Sequence, residues 1–201
     1  MRTALRDELK QLRSQGLFRS LKSLSSAQGR EVVLDGKKVL NFCSNDYLGL
    51  AADPRLGRAA WQAMERVGFG SGASRLVCGN FDEHGLLEDD MARMKKTAAA
   101  LVFSSGYMAN AGIISALAGK GDVVFSDKLN HASIIDGILL SRAELKRYPH
   151  RDVGALVEFL AKSGDGRRKL IVTDTVFSMD GDTAPLAEIV SLAKKYRAWI
   201  M

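Results

Sequence analysis

Polar residues follow three short apolar segments of the chain, at the points where those segments end. They are residues 104–107, His131 and residues 177–182. If the apolar segments are parallel strands, their carboxyl ends meet at one edge of a sheet, where ligands bind in α/β folds. Three strand ends that each offer polar groups to that edge predict a small-molecule site more strongly than any one of them does alone.

The turn at Gly106 has the features of an anion site. Glycine lets the backbone approach a ligand closely, and the free N–H groups at the start of the next predicted helix favour a phosphate. An ordinary strand-to-helix turn would contain the same residues. The sequence has no G-x-x-x-x-G-K-[ST] motif and no strand-coupled G-x-G-x-x-G motif, so neither a P-loop nor a dinucleotide fold is supported.

His131 and the segment after residue 176 each have two interpretations. A histidine at a helix start is typical of a cap or a surface residue as well as of a catalyst. The pair Asp180-Gly181 is typical of a polar turn. These residues form a site only if the fold brings them to the same edge of the sheet.

The elements that must position these residues alternate along the chain. Strands are predicted at residues 31–34, 38–42, 98–103, 122–126, 144–148, 169–173 and 198–201. Helices are predicted within the first two dozen residues and at 53–66, 81–96, 107–117, 131–140, 153–162 and 185–196. Asp35-Gly36 is a hairpin turn signal, and residues 68–79 are expected to form an irregular loop. The alternation predicts an α/β fold with a mainly parallel sheet and helices on both faces.

The pattern changes near residue 53, which predicts two parts. Residues 1–52 are expected to supply an N-terminal helix and the strands of a small domain, and residues 53–201 a large domain. Ala198-Trp199-Ile200-Met201 starts an apolar strand and the sequence stops inside it. Domain boundaries are expected in polar linkers, so we expect a longer natural protein whose large domain is cut short here.

The composition favours a cytoplasmic protein that acts on small molecules. Lys plus Arg is 29 and Asp plus Glu is 23, which gives a net charge of +6. The two signs are interspersed, so no nucleic-acid surface is predicted. Cys43 and Cys78 form no Cys-x-x-Cys pair and the histidines are not clustered, so no metal site is predicted either.

One uncharged stretch is long enough to cross a membrane. Residues 97–119 carry no Asp, Glu, Lys or Arg. Their centre contains Ser104, Ser105, Gly106 and Asn110, which favours a strand, a turn and a helix instead. The N-terminus has charged residues where a signal peptide would have its apolar core.

Five segments together resemble the α-oxoamine synthase family. They are Asn41-Phe42-Cys43-Ser44-Asn45-Asp46-Tyr47-Leu48-Gly49-Leu50, Gly70-Ser71-Gly72-Ala73-Ser74-Arg75, Ser105-Gly106-Tyr107-Met108-Ala109-Asn110, Asn130-His131-Ala132-Ser133 and Phe177-Ser178-Met179-Asp180-Gly181-Asp182. The resemblance covers nearly the whole chain, with the segments in the family's order. It implies a fold-type-I, aspartate-aminotransferase-like transferase that depends on pyridoxal 5'-phosphate (PLP). It also implies a homodimer with active sites at the subunit interface.

The resemblance implies roles for individual residues. Gly106 and Tyr107 would hold the cofactor phosphate through their backbone amides. His131 would stack on the pyridoxal ring, where it would also meet the substrate and take part in catalysis. Ser178 would bind the phenolic oxygen of the ring, and Asn45 would lie near the carboxylate of the substrate amino acid. A further position, Asp174, has glutamate in many family members.

Within the family, the N-terminal segments favour one acyl substrate. Residues 17–21, 27–29 and 41–45 most resemble the members that act in biotin synthesis and condense L-alanine with a pimeloyl thioester. The resemblance places a pimelate-binding arginine near Arg19, and Arg13 and Lys22 are alternative candidates. Arg19 is equally well explained as a solvated arginine at a helix end that binds no substrate. The alternative is a family member that transfers an acetyl group to glycine. The sequence does not distinguish a coenzyme A thioester from a carrier-protein thioester as the acyl donor.

The family's Schiff-base lysine has no counterpart among the lysines of this sequence. The resemblance implies that it lies downstream of Met201, together with an aspartate that pairs with the pyridine nitrogen and a histidine. An inactive fragment, or a module that only binds a partner, is therefore a second hypothesis for residues 1–201.

Overall fold

The computed structural model describes residues 2–201. The chain forms two compact units, one extending to Asn80 and the other comprising Phe81–Met201. The helices are α1 (Arg2–Ser14), α2 (Pro54–Val67), α3 (Asp82–Lys95), α4 (Gly106–Leu117), α5 (Ala132–Ser141), α6 (Val153–Lys162) and α7 (Leu186–Tyr196). The strands are β1 (Glu31–Leu34), β2 (Lys37–Leu40), β3 (Val123–Asp127), β4 (Glu144–Tyr148), β5 (Lys169–Val172) and β6 (Trp199–Ile200). The predicted boundary between residues 52 and 53 stays a prediction.

The first unit contains the predicted hairpin. Strands β1 and β2 are antiparallel, and Glu31 pairs with Leu40. Asp35 and Gly36 form the two-residue turn with φ angles of 47° and 77°. Such a turn needs positive φ at both positions, which Asp and Gly tolerate best. The Asp35 carboxylate accepts a hydrogen bond from the Ser23 backbone N–H at 3.0 Å, which ties the preceding segment to the turn.

The two helices of the first unit are close to their predicted positions. Asp53 caps α2, because its carboxylate accepts the Arg55 N–H at 2.8 Å, and Pro54 occupies the first turn. The predicted N-terminal helix is confirmed as α1, but it ends at Ser14. Phe18 and Leu21, which continue its apolar spacing, therefore lie outside the helix.

The second unit is built on a four-stranded parallel sheet with strand order β4-β3-β5-β6. Alternate residues of β3 face opposite sides. Phe125 packs in a core with residues of α6 and α7, and Val124 packs in a second core with residues of α4 and α5. Helices therefore cover both faces of the sheet, and the predicted α/β fold class is confirmed.

The strand predicted at residues 98–103 is wrong. These residues form no strand, and Leu101 is 66% exposed. A strand requires a neighbour for its backbone hydrogen bonds, and no strand of residues 2–201 lies beside this segment. The Val102 N–H instead donates to the Glu88 side chain of α3 at 2.9 Å.

The uncharged stretch at residues 97–119 folds as an irregular segment followed by α4, which has 12 residues. Across residues 2–201, no helix combines the length and the apolar character needed to cross a bilayer.

Candidate active site

The carboxyl ends of β3 and β5 are joined by a buried asparagine. The Asn130 side-chain amide donates to Ser126 Oγ at 2.9 Å and to the Val172 carbonyl at 2.7 Å. Its oxygen accepts the Asp174 backbone N–H at 2.9 Å. Because all the polar atoms of this amide are paired inside the protein, the turns after the two strands are fixed against each other.

His131 begins helix α5 beside this asparagine. Its backbone N–H donates to Asp174 Oδ2 at 2.8 Å, and its ring Nδ1 accepts the Ser133 N–H at 3.2 Å. Ser133 Oγ lies 2.7 Å from the same nitrogen and accepts a bond from the Asn110 amide of α4 at 2.8 Å. Since Nδ1 accepts a backbone N–H, the ring proton of a neutral His131 is on Nε2.

The histidine is exposed although it caps a helix. Its Nδ1 is held by Ser133, and the residue as a whole stays exposed. The capping interpretation is thus confirmed, and it is compatible with a ring that also meets a ligand.

The start of helix α4 offers unused backbone donors. Ser105 Oγ caps the helix by accepting the Met108 N–H at 3.2 Å. For the N–H groups of Gly106 and Tyr107, no acceptor is found among residues 2–201. Apart from its chain neighbours and the backbone of its own helix, no atom lies within 4 Å of a Cβ built at Gly106, and the first turn has no acidic side chain. This donor set suits a phosphate, which the helix dipole also favours.

Tyr107 connects helices α4 and α5. Its hydroxyl donates to Asp136 Oδ2 at 3.0 Å, and this carboxylate raises the pKa of the phenol. Together with the Asn110–Ser133 bond, it holds the two helix starts side by side. Two free amides and an exposed imidazole on joined helices fit a phosphorylated aromatic cofactor such as PLP.

Ser178 lies on a turn after β5. The Phe177 N–H donates to the Asp182 carbonyl at 2.9 Å, and the Gly181 N–H donates to the Phe177 carbonyl at 2.8 Å. Gly181 has a φ of 72°, which the turn requires. Ser178 itself is exposed, and within residues 2–201 no hydrogen bond joins it to His131.

His150, which follows β4, was not among the predicted site residues. Its Nδ1 lies 2.9 Å from Asp127 Oδ1, and its Nε2 lies 3.0 Å from Asp182 Oδ2. The two carboxylates raise the pKa of the imidazole, Asp127 having the larger effect. In turn, His150 and then Arg151 lower the pKa of Asp182. Polar residues at the end of a fourth strand, in Tyr148-Pro149-His150, are the sequence signal for this cluster.

The substrate residues predicted in the first unit lie on exposed segments. Asn45 is exposed, and its carbonyl accepts the Tyr47 N–H at 2.9 Å. The neighbouring Asp46 carboxylate accepts the N–H groups of Leu50 at 2.8 Å and Ala51 at 3.2 Å, so it shapes the motif's turn.

Arg19 and its alternatives have different surroundings. Lys22 pairs with Asp35 at 3.3 Å, and the Arg13 guanidinium lies 4.5 Å from the centre of the Phe18 ring. Arg19 is exposed, and no side chain among residues 2–201 pairs with it. Of the three, Arg19 is the cation that a carboxylate could reach without displacing a partner.

The acidic, histidine and cysteine side chains form no metal centre in the part of the chain that the structure describes. Cys43 and Cys78 are both exposed free thiols.

Comparison with known proteins identifies the family. The model of the aminotransferase class I and II family matches residues 37–201. The chain belongs to this family. The predicted fold class, an aminotransferase-like transferase fold, is therefore confirmed by both sequence and structure.

Curated relatives in this family share more than half of their aligned residues with the chain. The 8-amino-7-oxononanoate synthase of Geobacter sulfurreducens is 58% identical over 201 residues, which are 100% of this chain and 51% of that protein. The synthase of the same name from Citrifermentans bemidjiense is 59% identical over 195 residues, 97% of this chain and 50% of that protein. The chain thus spans about half the length of the curated relatives it matches.

Solved structures show the same fold. A serine palmitoyltransferase from S. paucimobilis with a bound PLP–myriocin aldimine superposes with a TM-score of 0.90 at 37% identity, over 98% of this chain and 50% of that one. An 8-amino-7-oxononanoate synthase from Francisella tularensis superposes with a TM-score of 0.63 at 38% identity, over 76% of this chain and 41% of that one.

Proposed function

We propose that this chain belongs to a PLP-dependent acyltransferase that condenses L-alanine with a pimeloyl thioester to give 8-amino-7-oxononanoate, in biotin synthesis. The observation that carries the proposal is the junction of α4 and α5, where free amides of Gly106 and Tyr107 adjoin an oriented His131. The resemblance of five segments to α-oxoamine synthases and the names of the curated relatives support the same reaction.

The cofactor would be held by unpaired backbone N–H groups and by exposed side chains. The N–H groups of Gly106 and Tyr107 would bind the phosphate, and the exposed ring of His131 would stack on the pyridine. Ser133, which accepts a hydrogen bond from Asn110, contacts Nδ1 of that ring. This contact restricts rotation of the imidazole and so fixes the orientation of its plane. Ser178 would donate to the phenolic oxygen. When bound, PLP supplies the electron sink that lets the α-carbon of an amino acid lose its proton.

The atoms of the reaction balance without an oxidant or a metal. The α-carbon of L-alanine loses a proton and forms a bond to the thioester carbonyl carbon, and the thiolate leaves. The carboxylate of alanine then leaves as carbon dioxide and a proton takes its place. Asn45 would orient that carboxylate before it leaves, and His131 would keep the breaking bond aligned with the ring.

Four further parts of the proposal concern the complete protein. None of the lysines among residues 1–201 lies in the family's lysine motif, so we propose that the Schiff-base lysine lies elsewhere in the protein and that this chain alone is inactive. We also propose a homodimer. The cytoplasm is the proposed location.

Substrate choice tests the proposal. A pimeloyl chain ends in a carboxylate that arginine can bind through two hydrogen bonds, whereas an acetyl group offers nothing comparable. The full-length gene product should therefore prefer pimeloyl over acetyl thioesters and L-alanine over glycine. Loss of a charged hydrogen bond predicts that Arg19→Ala raises the KM for the pimeloyl donor about ten- to a hundredfold and leaves that for L-alanine nearly unchanged.

The matched comparison is Arg13→Ala, which removes the alternative cation that lies against Phe18. If Arg19 binds the pimelate carboxylate, Arg13→Ala leaves both Michaelis constants unchanged, whereas a rise in the KM for the pimeloyl donor would assign that role to Arg13. A wild-type protein that prefers acetyl donors and glycine would contradict the assignment, whichever arginine matters.

A further inference from the structure

The carboxyl ends of β3 and β4 and the loop after β5 are joined by one imidazole ring. His150 follows β4, Asp127 ends β3, and Asp182 belongs to the loop that carries Ser178. The two ring nitrogens contact the two carboxylates at 2.9 Å and 3.0 Å. Three segments that are distant in sequence therefore meet at a single side chain.

The environment of this ring requires both nitrogens to carry protons. A carboxylate accepts hydrogen bonds and does not donate them when ionised. A neutral imidazole has one N–H, so it can satisfy only one of the two carboxylates and presents a lone pair to the other. Only the imidazolium donates to both, and the geometry points to a positively charged His150.

The other groups around the ring reinforce the connection. Asp127 is 1% exposed, and its second oxygen accepts the Arg151 N–H at 2.8 Å. The Arg151 guanidinium binds Asp182 at 2.9 Å. Phe177, buried next to Ser178, packs edge-on against the imidazole, with 4.5 Å between ring centres. Two carboxylates and one aromatic ring thus contact the imidazolium, and the Arg151 guanidinium binds one of those carboxylates.

We propose that His150 is a positioning residue that clamps the loop of residues 173–184 to the ends of β3 and β4, and thereby sets the place of Ser178. The proposal rests on the function proposed above, because Ser178 is the residue that would bind the cofactor's phenolic oxygen. His150 does not itself touch the reacting atoms in this scheme. It acts through Asp182 and Phe177.

The clamp should depend on pH in a defined direction. Asp127 and Asp182 raise the pKa of His150, so its contribution is fully present below the ordinary histidine pKa. That contribution is lost as pH rises through the raised value. The loop should therefore loosen on the alkaline side.

Amide hydrogen exchange on the full-length gene product without added PLP tests the clamp directly. The amides of Phe177, Gly181 and Ala184 donate within the loop, so their exchange reports on its closure. His150→Gln can donate to one carboxylate only and should speed their exchange about tenfold or more below the histidine pKa, as expected for loss of a charged hydrogen bond. After correction for intrinsic exchange, protection should fall with rising pH in the wild type and should show no such step in the variant.

Two further variants separate the clamp from general destabilisation. Asp182→Asn should mimic His150→Gln, and the double variant should be little worse than either single one, because both remove the same connection. Glu158→Gln removes a carboxylate from an exposed ion pair on α6 and should change nothing in the loop. Equal, pH-independent exchange in wild type and His150→Gln would overturn the clamp.

The cofactor gives a second readout on the same proteins. PLP titrated into His150→Gln should bind more weakly, with an altered absorption spectrum because Ser178 is displaced. Unchanged binding and spectrum would overturn the role assigned through Ser178. If the wild type fails to bind PLP or to condense the substrates, the proposed function is refuted. Hydrogen exchange is measured without PLP, so it would still show whether the clamp exists.

Discussion

The two units of the chain differ in what holds them together. In the second unit, apolar side chains from both faces of a parallel sheet form two buried cores. Among residues 3–80 of the first unit, Val32 is the only buried hydrophobic residue, and Phe42, Tyr47, Leu48 and Phe69 are more than four-fifths exposed. Hydrogen bonds to Asp35, Asp46 and Asp53 shape its turns instead.

The difference matters for function because a rigid frame positions chemical groups more accurately than exposed turns do. The residues expected to hold the cofactor, at the starts of α4 and α5, lie in the unit with the buried sheet. Those expected to bind substrate, Arg19 and Asn45, lie on exposed segments of the other unit. We therefore propose that residues 81–201 preorganise cofactor binding, whereas the proposed substrate residues of the first unit are held less rigidly.

The largest expected effect comes from one phenylalanine in each unit. Phe125 is fully buried, and Phe125→Ala should lower the free energy of unfolding by about 3–5 kcal/mol. Phe69 is 94% exposed, and Phe69→Ala should change it by less than about 0.5 kcal/mol. Urea unfolding followed by circular dichroism measures both. Equal losses would contradict this difference between the two units, because they would show that Phe69 is buried in solution.

A smaller effect is expected from the aspartate caps of the two units. Asp152 Oδ1 accepts the Ala155 N–H at 2.9 Å, and Asp152→Ala should destabilise the second unit by about 0.5–2 kcal/mol. Asp53→Ala removes the corresponding cap of α2. Because α2 has no buried residue, the loss of its cap should not shift the main unfolding transition. It should appear instead as reduced helicity of α2 in NMR chemical shifts.

If Asp53→Ala moved the main transition as far as Asp152→Ala does, the two units would unfold together. That result would contradict the distinction between a cored unit and a locally bonded one.

The smallest effect is expected at a buried hydroxyl of the second unit. Tyr148 is 2% exposed, and burial raises its pKa to about 12, an effect that the nearby Thr173 side chain opposes. Its OH forms no hydrogen bond of normal geometry among residues 2–201. Tyr148→Phe keeps the ring and removes an unpaired polar atom, so it should not destabilise, and a gain of up to about 1 kcal/mol is expected. Thermal unfolding provides the measurement. A clear loss of stability would mean that the hydroxyl has a partner in solution.

Local signals in the sequence predicted most of the fold. Strand 144–148 and helix 153–162 have the predicted bounds, and Asp53-Pro54 and Asp35-Gly36 act as the cap and the turn that their chemistry favours. Each of these features depends on residues close together in the chain. The strand predicted at 98–103 failed because apolar composition cannot supply a pairing partner.

The site was predictable only in part for the same reason. The turn at Gly106 and the helix-start His131 are local features, and the structure shows a helix beginning at each of them. The His150 cluster joins Asp127 and Asp182, which are distant in sequence, so only the folded sheet reveals it. Asn130 lay within a motif, but its link to Val172 depends on β3 and β5 being neighbours.

We propose that the junction of α4 and α5 binds the cofactor, and a crystal structure of the full-length gene product with PLP would show whether it does. We expect the phosphate within hydrogen-bond distance of the Gly106 and Tyr107 amides, the pyridine ring against His131, and Ser178 beside the phenolic oxygen. A phosphate bound elsewhere, with both amides facing solvent, would contradict it.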